Sequence, residues 1–301
     1  MNYSIKIAGL FLFGVAMTSC LKDDISLDPD KSTNVVEFKN PSSFASPSGS
    51  TYSLYSQSFD LADEADYPVT VSYSGANVAP EDITVTLGVD TAAVTQYNTE
   101  QEEEFDAITP DLYTIPATVV IPKGQRRAEV VIKLKPSKFD FAKNYVLPIQ
   151  IKSVSSGIVS GNFGTILLGV KAKNIYDATY AATGYVYHPT APRAVAKNKP
   201  LVTVSPTTVS VELGDLGGSG YNANLTVDPK TNKVTITPAA GAAGAPYTQF
   251  DKELPAPYKA AWTGAPKANN TYDPATKTFY LRYGYMGANG WRVTEEILVR
   301  K

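Results

Sequence analysis

The feature that most constrains this chain is a two-residue alternation of apolar and polar side chains, repeated in short runs. Residues 83–89 read ITVTLGV, residues 67–73 read YPVTVSY and residues 128–134 read AEVVIKL. Successive strand residues point to opposite faces, so such runs can bury one face of a sheet and cannot build an amphipathic helix. Residues 35–38, 117–121, 144–151 and 164–170 read as further strands, and Pro122-Lys123-Gly124-Gln125 as the turn of a hairpin. Only residues 92–105 (AAVTQYNTEQEEEF) read as a helix, with Ala92, Ala93, Tyr97 and Phe105 on one side and glutamates on the other. About seven short strands with regularly spaced turns predict an immunoglobulin-like β-sandwich. Beyond residue 174, strands are expected at 202–204, 208–213, 222–228 and 233–237, with Asp228-Pro229-Lys230-Thr231-Asn232 as a turn.

The start of the chain carries a different pattern. Lys6 precedes an apolar run, residues 7–17 (IAGLFLFGVAM), and Met17-Thr18-Ser19-Cys20 follows. The run is too short to span a bilayer and has the flanks of a cleaved export signal. Met17-Thr18-Ser19-Cys20 resembles the lipobox of bacterial lipoproteins, which implies that Cys20 is acylated and begins the mature protein. The alternative is an ordinary signal peptide with an incidental cysteine. Cys20 is the only cysteine, so no disulfide can form within the chain. Two or three acyl chains on one residue anchor durably where one would be marginal. Lys22-Asp23-Asp24 resembles the surface-export signal of Bacteroides-type lipoproteins, which implies an outer-membrane anchor facing the cell exterior. The expected organisation is a signal peptide (1–19), a lipidated flexible tether (20–34), a sandwich domain (35–173) and a second β-domain (174–301).

Composition removes several functions. The formal charge of −2 gives no basis for binding nucleic acid, or a membrane other than through the lipid. His188 is the only histidine, so a Ser-His-Asp triad would need that one residue, and a histidine zinc site lacks ligands. Acidic residues fall mostly in runs such as 102–104, which suit solvated faces better than a glycosidase pair. Asp60, Asp63, Glu64 and Asp66 could surround calcium, but their spacing fits no EF-hand loop and a surface loop accounts for them. Gly217-Gly218-Ser219-Gly220 has no Lys-Ser/Thr after it and reads as a turn, not a phosphate loop. No catalytic residue, cofactor or metal is expected.

Three segments, VTQYNTEQ, IPKGQRRAEVVIKL and NYVLPIQIKSVSSG, resemble the N-terminal domain of Bacteroides-type surface lipoproteins of unknown function. Those proteins are often encoded in Sus-like glycan-utilisation loci. The opening NIYDATY and the closing TFYLRYGY and WRVTEEILVRK resemble the C-terminal domain that accompanies it. The resemblance implies an antiparallel, lipocalin-like barrel for residues 174–301. It also implies a setting beside a Sus-type transporter complex.

In the closing hairpin, a loop at Ala288-Asn289-Gly290 would place Leu281 opposite Ile297 and Tyr285 opposite Val293. Arg282 would then lie opposite Glu296 as an exposed pair, and Glu295 would fall on the apolar face. Residues 238–270 form a long Pro-, Ala- and Gly-rich stretch holding Tyr247, Tyr258 and Trp262. Long loops in compact domains often carry function, and aromatic rings can stack on sugar faces. These three residues are the candidate ligand patch, although the same rings could simply pin the loop. The reading is a non-catalytic surface lipoprotein that binds a polysaccharide or oligosaccharide. The alternative is an adhesion or scaffold lipoprotein with a protein partner.

Overall fold

A computed structural model describes residues 32–39, 41–251 and 262–301. The expected signal peptide, Cys20 and most of the tether therefore lie outside the described residues. Among those described, no helix is long and apolar enough to cross a membrane.

The N-terminal half is a β-sandwich. Its strands are β1 (Val35–Phe38), β2 (Ser53–Asp60), β3 (Ala65–Ser74), β4 (Ile83–Val89), β5 (Thr118–Ile121), β6 (Arg127–Leu134), β7 (Tyr145–Val154) and β8 (Thr165–Lys173). One sheet is centred on β1, β3 and β6, and the other runs β2-β8-β7-β4-β5. Alternate residues meet between them: Val36, Tyr67, Val69 and Val71 from one sheet, Ile83, Val85, Leu147 and Ile166 from the other. Each of these is almost entirely buried, which contributes roughly 1.5–3 kcal/mol per large apolar side chain.

Helix α1 (Thr91–Gln101) lies outside the sandwich, where Ala93, Val94 and Tyr97 pack with Leu54, Val146 and Leu167. Asp90 caps its start by accepting from the Ala92 amide, and Glu102 ends it in a left-handed conformation with φ of 55°. The helix is thus shorter than residues 92–105. Strand β2 is absent from the sequence reading. It pairs parallel to β8, and its buried residues Leu54, Tyr55 and Phe59 do not alternate.

The C-terminal half is a nearly closed antiparallel barrel. Its strands are β9 (Ala178–Tyr187), β10 (Arg193–Ser205), β11 (Thr208–Glu212), β12 (Asn222–Val227), β13 (Val234–Pro238), β14 (Thr271–Asp273), β15 (Thr278–Gly287) and β16 (Gly290–Arg300). The sheet runs β13-β12-β11-β10-β9-β16-β15, then the two-residue strand Thr248–Gln249. Strand β10 is far longer than the expected 202–204, because its first half turns Val195 and Lys199 inward between exposed residues.

One side chain closes the barrel seam. Gln249 accepts from the Ile236 amide and donates to the Val234 carbonyl, both at 2.9 Å. Its amide stands in for a rung of sheet between β13 and the strand at 248–249. A single backbone bridge, Lys233 to Thr271, continues the closure. Gln249→Ala should therefore leave two strand groups unpaired and lower stability by about 1–3 kcal/mol in urea unfolding, with circular dichroism of the folded state unchanged.

Candidate ligand site at the mouth of the barrel

The barrel interior is set by the register of the closing hairpin. Gly287 pairs with Gly290 across a two-residue loop, Ala288-Asn289, and Gly290 takes a φ of 114° that a Cβ would disfavour. Leu281 therefore faces Glu296, Arg282 faces Glu295 and Tyr285 faces Arg292. This is one residue away from the expected register. The Arg282 partner is Glu295 rather than Glu296, and the pair is buried rather than exposed, with the carboxylate at 0% and the guanidinium at 12%.

The two adjacent glutamates thus point to opposite faces of β16. Outside the barrel, Glu295 accepts from Arg282 Nε at 2.7 Å and from the Tyr187 hydroxyl at 3.0 Å. Inside, Glu296 accepts from Lys199 Nζ at 2.5 Å and from the Tyr283 hydroxyl at 2.7 Å. Lys199 and Glu296 are both 0% exposed. Burial, and then the Glu296 charge, push the Tyr283 hydroxyl well above its ordinary pKa, so it remains a donor. Neither carboxylate is free, and a pair divided by a sheet cannot flank one glycosidic bond.

Above this ionic layer lies a cavity of about 210 Å³, lined among others by His188, Arg193, Tyr221, Tyr285, Arg292 and Thr294. Tyr221 and Tyr285 lie with ring centroids 5.0 Å apart and planes tilted by 32°, and Tyr247 lies 6.4 Å from Tyr285. Arg193 grips Asp215 through two hydrogen bonds, at 2.6 and 2.5 Å. That guanidinium holds the Asp215 carboxyl below its ordinary range.

Arg292 has no such partner. Its guanidinium carbon sits 5.4 Å from the Tyr285 ring centroid, and Nη1 reaches the Tyr285 hydroxyl only at 3.4 Å. Arg292 Nε and Thr294 Oγ1 are two of the three buried side-chain polar atoms left without a hydrogen bond among the described residues. The third, the Tyr180 hydroxyl, lies in the ring cluster at the other end of the barrel. His188 accepts the Thr190 and Ala191 amides at Nδ1. Burial, then Arg292 and Arg193, lower its pKa.

The sequence candidates are distributed as follows. Tyr247 belongs to the mouth cluster, with its hydroxyl on the Ala243 carbonyl at 2.8 Å and its pKa pushed up to about 12 by burial and the neighbouring tyrosines. The Trp262 amide bonds the Tyr187 hydroxyl, which serves Glu295 on the outer face, so Trp262 is not brought to Tyr247. Tyr258 lies outside the described residues. Trp291 packs edge-on against Phe250, with centroids 5.2 Å apart. Asp66 and Glu64 both pair with Lys133, and Asp63 accepts from Ser137. Among the described residues, no three His, Cys, Asp or Glu side chains converge on a metal-sized site. Arg193, Tyr221, Tyr285, Arg292 and Thr294 escaped sequence reasoning. For Arg292 and Thr294 the signal was alternation along β16, read one residue out of step.

Sandwich followed by filled barrel defines a two-domain, all-β class. Two family profiles match it in order, an N-terminal-domain profile over residues 37–158 and its C-terminal counterpart over residues 164–298. A structure of unknown function from Bacteroides ovatus aligns with TM-score 0.52 at 13% identity, over 89% of this chain and 95% of that one. A second Bacteroides ovatus structure of unknown function gives 0.49 at 17%, over 88% and 94%. An auxiliary nutrient binding protein from Bacteroides thetaiotaomicron gives 0.45 at 15%, over 81% and 90%. No curated protein matches the chain. The chain belongs to the two-domain family that these paired N-terminal and C-terminal profiles describe.

The ionic layer makes a sharp stability prediction. Glu296→Gln leaves Lys199 charged and buried without its counter-ion and should cost about 3–5 kcal/mol in denaturant unfolding. The double variant Lys199→Met, Glu296→Leu should recover most of that loss, because neither charge then remains to be solvated.

Proposed function

We propose that this protein is a non-catalytic glycan-binding lipoprotein, anchored through Cys20 to the outer membrane and facing the cell exterior. In this reading residues 20–34 form the tether, residues 35–173 a sandwich that spaces the barrel from the membrane, and residues 174–301 the ligand-binding domain. The protein serves as an accessory to a polysaccharide-uptake system beside a Sus-type transporter. The observation that carries the reading is the barrel mouth, where Tyr221, Tyr285 and Tyr247 cluster beside Arg292 Nε and Thr294 Oγ1, both without a hydrogen bond. Aromatic faces suit the C–H faces of a sugar ring, and directed donors suit its hydroxyls. The non-catalytic part is supported by Glu296, Glu295 and Asp215, whose carboxylates are committed to Lys199, Arg282 and Arg193.

Affinity-gel electrophoresis against a panel of soluble polysaccharides tests the binding. Retardation by at least one is expected, and Tyr221→Ala should weaken it roughly tenfold, since a stacked ring contributes on the order of 1 kcal/mol beyond its buried area. Folded protein that no polysaccharide retards counts against the reading. Intact-mass analysis of protein extracted from native membranes should show a chain beginning at Cys20 with two or three acyl groups. An unmodified thiol would sink the proposed anchor.

A further inference from the structure

Four cations of the barrel hold carboxylate partners. Lys199 pairs with Glu296, Arg282 with Glu295, Arg193 with Asp215 and Lys197 with Glu212. Arg292 faces no carboxylate among the described residues, although its Nε is fully shielded from solvent. Thr294 stands two residues along β16 on the same inward face, is 1% exposed, and also has no partner for its hydroxyl. An unmet buried donor costs about 1–3 kcal/mol, more for a charged group. Two such groups lining one cavity are what a site prepared for an absent ligand should contain.

The chemistry of that ligand can be read from the same residues. A neutral hydroxyl would satisfy the hydrogen bonds and leave the Arg292 charge uncompensated. An oxyanion satisfies both, and a charge-assisted hydrogen bond to guanidinium is roughly twice as strong as a neutral one. The Tyr221 and Tyr285 rings beside it suit a flat, partly apolar body attached to the anion. A cavity of about 210 Å³ lies below the roughly 300–1,000 Å³ of drug-sized sites. It therefore fits one sugar ring and not a length of chain. The Glu296–Lys199 layer lies beneath it and blocks deeper entry.

We infer that the barrel mouth is an oxyanion site, in which Arg292 and Thr294 receive the carboxylate or sulfate of an acidic sugar at the end of a glycan chain. This rests on the glycan-binding reading and narrows it from saccharides in general to acidic, end-on recognition.

The test uses the full chain and four probes: D-glucuronate, D-glucose 6-sulfate, D-glucose and sodium sulfate. Calorimetry reads affinity. The imidazole resonances of His188, the sole histidine, read the charge entering the cavity. Arg193, Arg292, Tyr221 and Tyr285 share the cavity with His188, and Asp215 sits behind Arg193. A bound anion should raise the His188 pKa, because it offsets the cations that now lower it. At least one charged sugar should bind roughly tenfold or more tightly than glucose, the effect of one charge-assisted hydrogen bond. Which of the two binds distinguishes carboxylate from sulfate. Arg292→Gln should abolish that preference. Thr294→Val is isosteric and removes only an unpaired hydroxyl, so it should weaken binding while leaving the unfolding midpoint unchanged or higher.

Glucose binding as well as the charged sugars, with Arg292→Gln indifferent, would overturn the oxyanion inference and leave glycan binding standing. Sodium sulfate binding as tightly as the charged sugars would remove the sugar from this site and overturn the inference together with the reading it rests on. No binding by any probe, with the His188 resonances unmoved, would overturn both.

Discussion

The buried pair between Lys199 and Glu296 governs the C-terminal barrel more than any apolar contact does. Residues 291, 293, 295, 297 and 299 of β16 are Trp, Val, Glu, Ile and Val, whereas residues 292, 294, 296, 298 and 300 are Arg, Thr, Glu, Leu and Arg. By hydrophobicity alone the first set belongs inside. The structure turns the second set inward. Burying two or three β-branched side chains stabilises by roughly 1.5–3 kcal/mol each. A one-residue slip would strip both Glu295 and Glu296 of their cations, at about 3–5 kcal/mol per orphaned charge. Two adjacent carboxylates, each matched on its own face, therefore fix a register that the apolar pattern opposes.

That ionic layer divides the barrel into three storeys. Below it, Tyr176, Tyr180, Tyr272 and Phe279 meet in edge-to-face and tilted pairs, with centroids 4.7–6.0 Å apart, and fill the end nearest the sandwich. Arg300 reaches from this end to the Ile175 carbonyl at the entry to β9. Above the layer only the small cavity at Arg292 remains open. A barrel of about eight strands either packs its interior with side chains or holds one small ligand. This one packs its lower part with side chains and leaves a small cavity above, so the filled part serves as a rigid floor for the open part.

The legibility of the fold follows the same physics. Strands β4 and β6 were plain in the sequence because one face is apolar and the other polar. Strand β2 was hidden because Leu54 and Tyr55 are buried consecutively, one toward the helix and one toward the sandwich core. The first half of β10 was hidden because its inward residue Lys199 reads as a surface lysine unless its partner 97 positions away is known. The candidate site was hidden for the reason that hid the register. Of the three aromatic candidates, Tyr247 was recognisable as a loop ring and stands in the mouth cluster. Arg292 and Thr294 acquire meaning only once Glu296 points inward.

The mouth is held ready by features that cost nothing at the moment of binding. The Arg193–Asp215 fork fixes one wall, and the packed Tyr221 and Tyr285 rings fix another. Arg292 lies across the hairpin tip because residue 287 is glycine: a Cβ there would stand 2.6 Å from the guanidinium carbon and 2.7 Å from Nε. The Arg292 guanidinium thus sits 5.4 Å from the Tyr285 ring centroid, in space that a methyl group at residue 287 would crowd. Side-chain ordering otherwise costs about 0.5–1.5 kcal/mol per rotamer-rich residue on association. Part of that cost is already met in the folded barrel, by the hairpin turn whose register the buried glutamates decide.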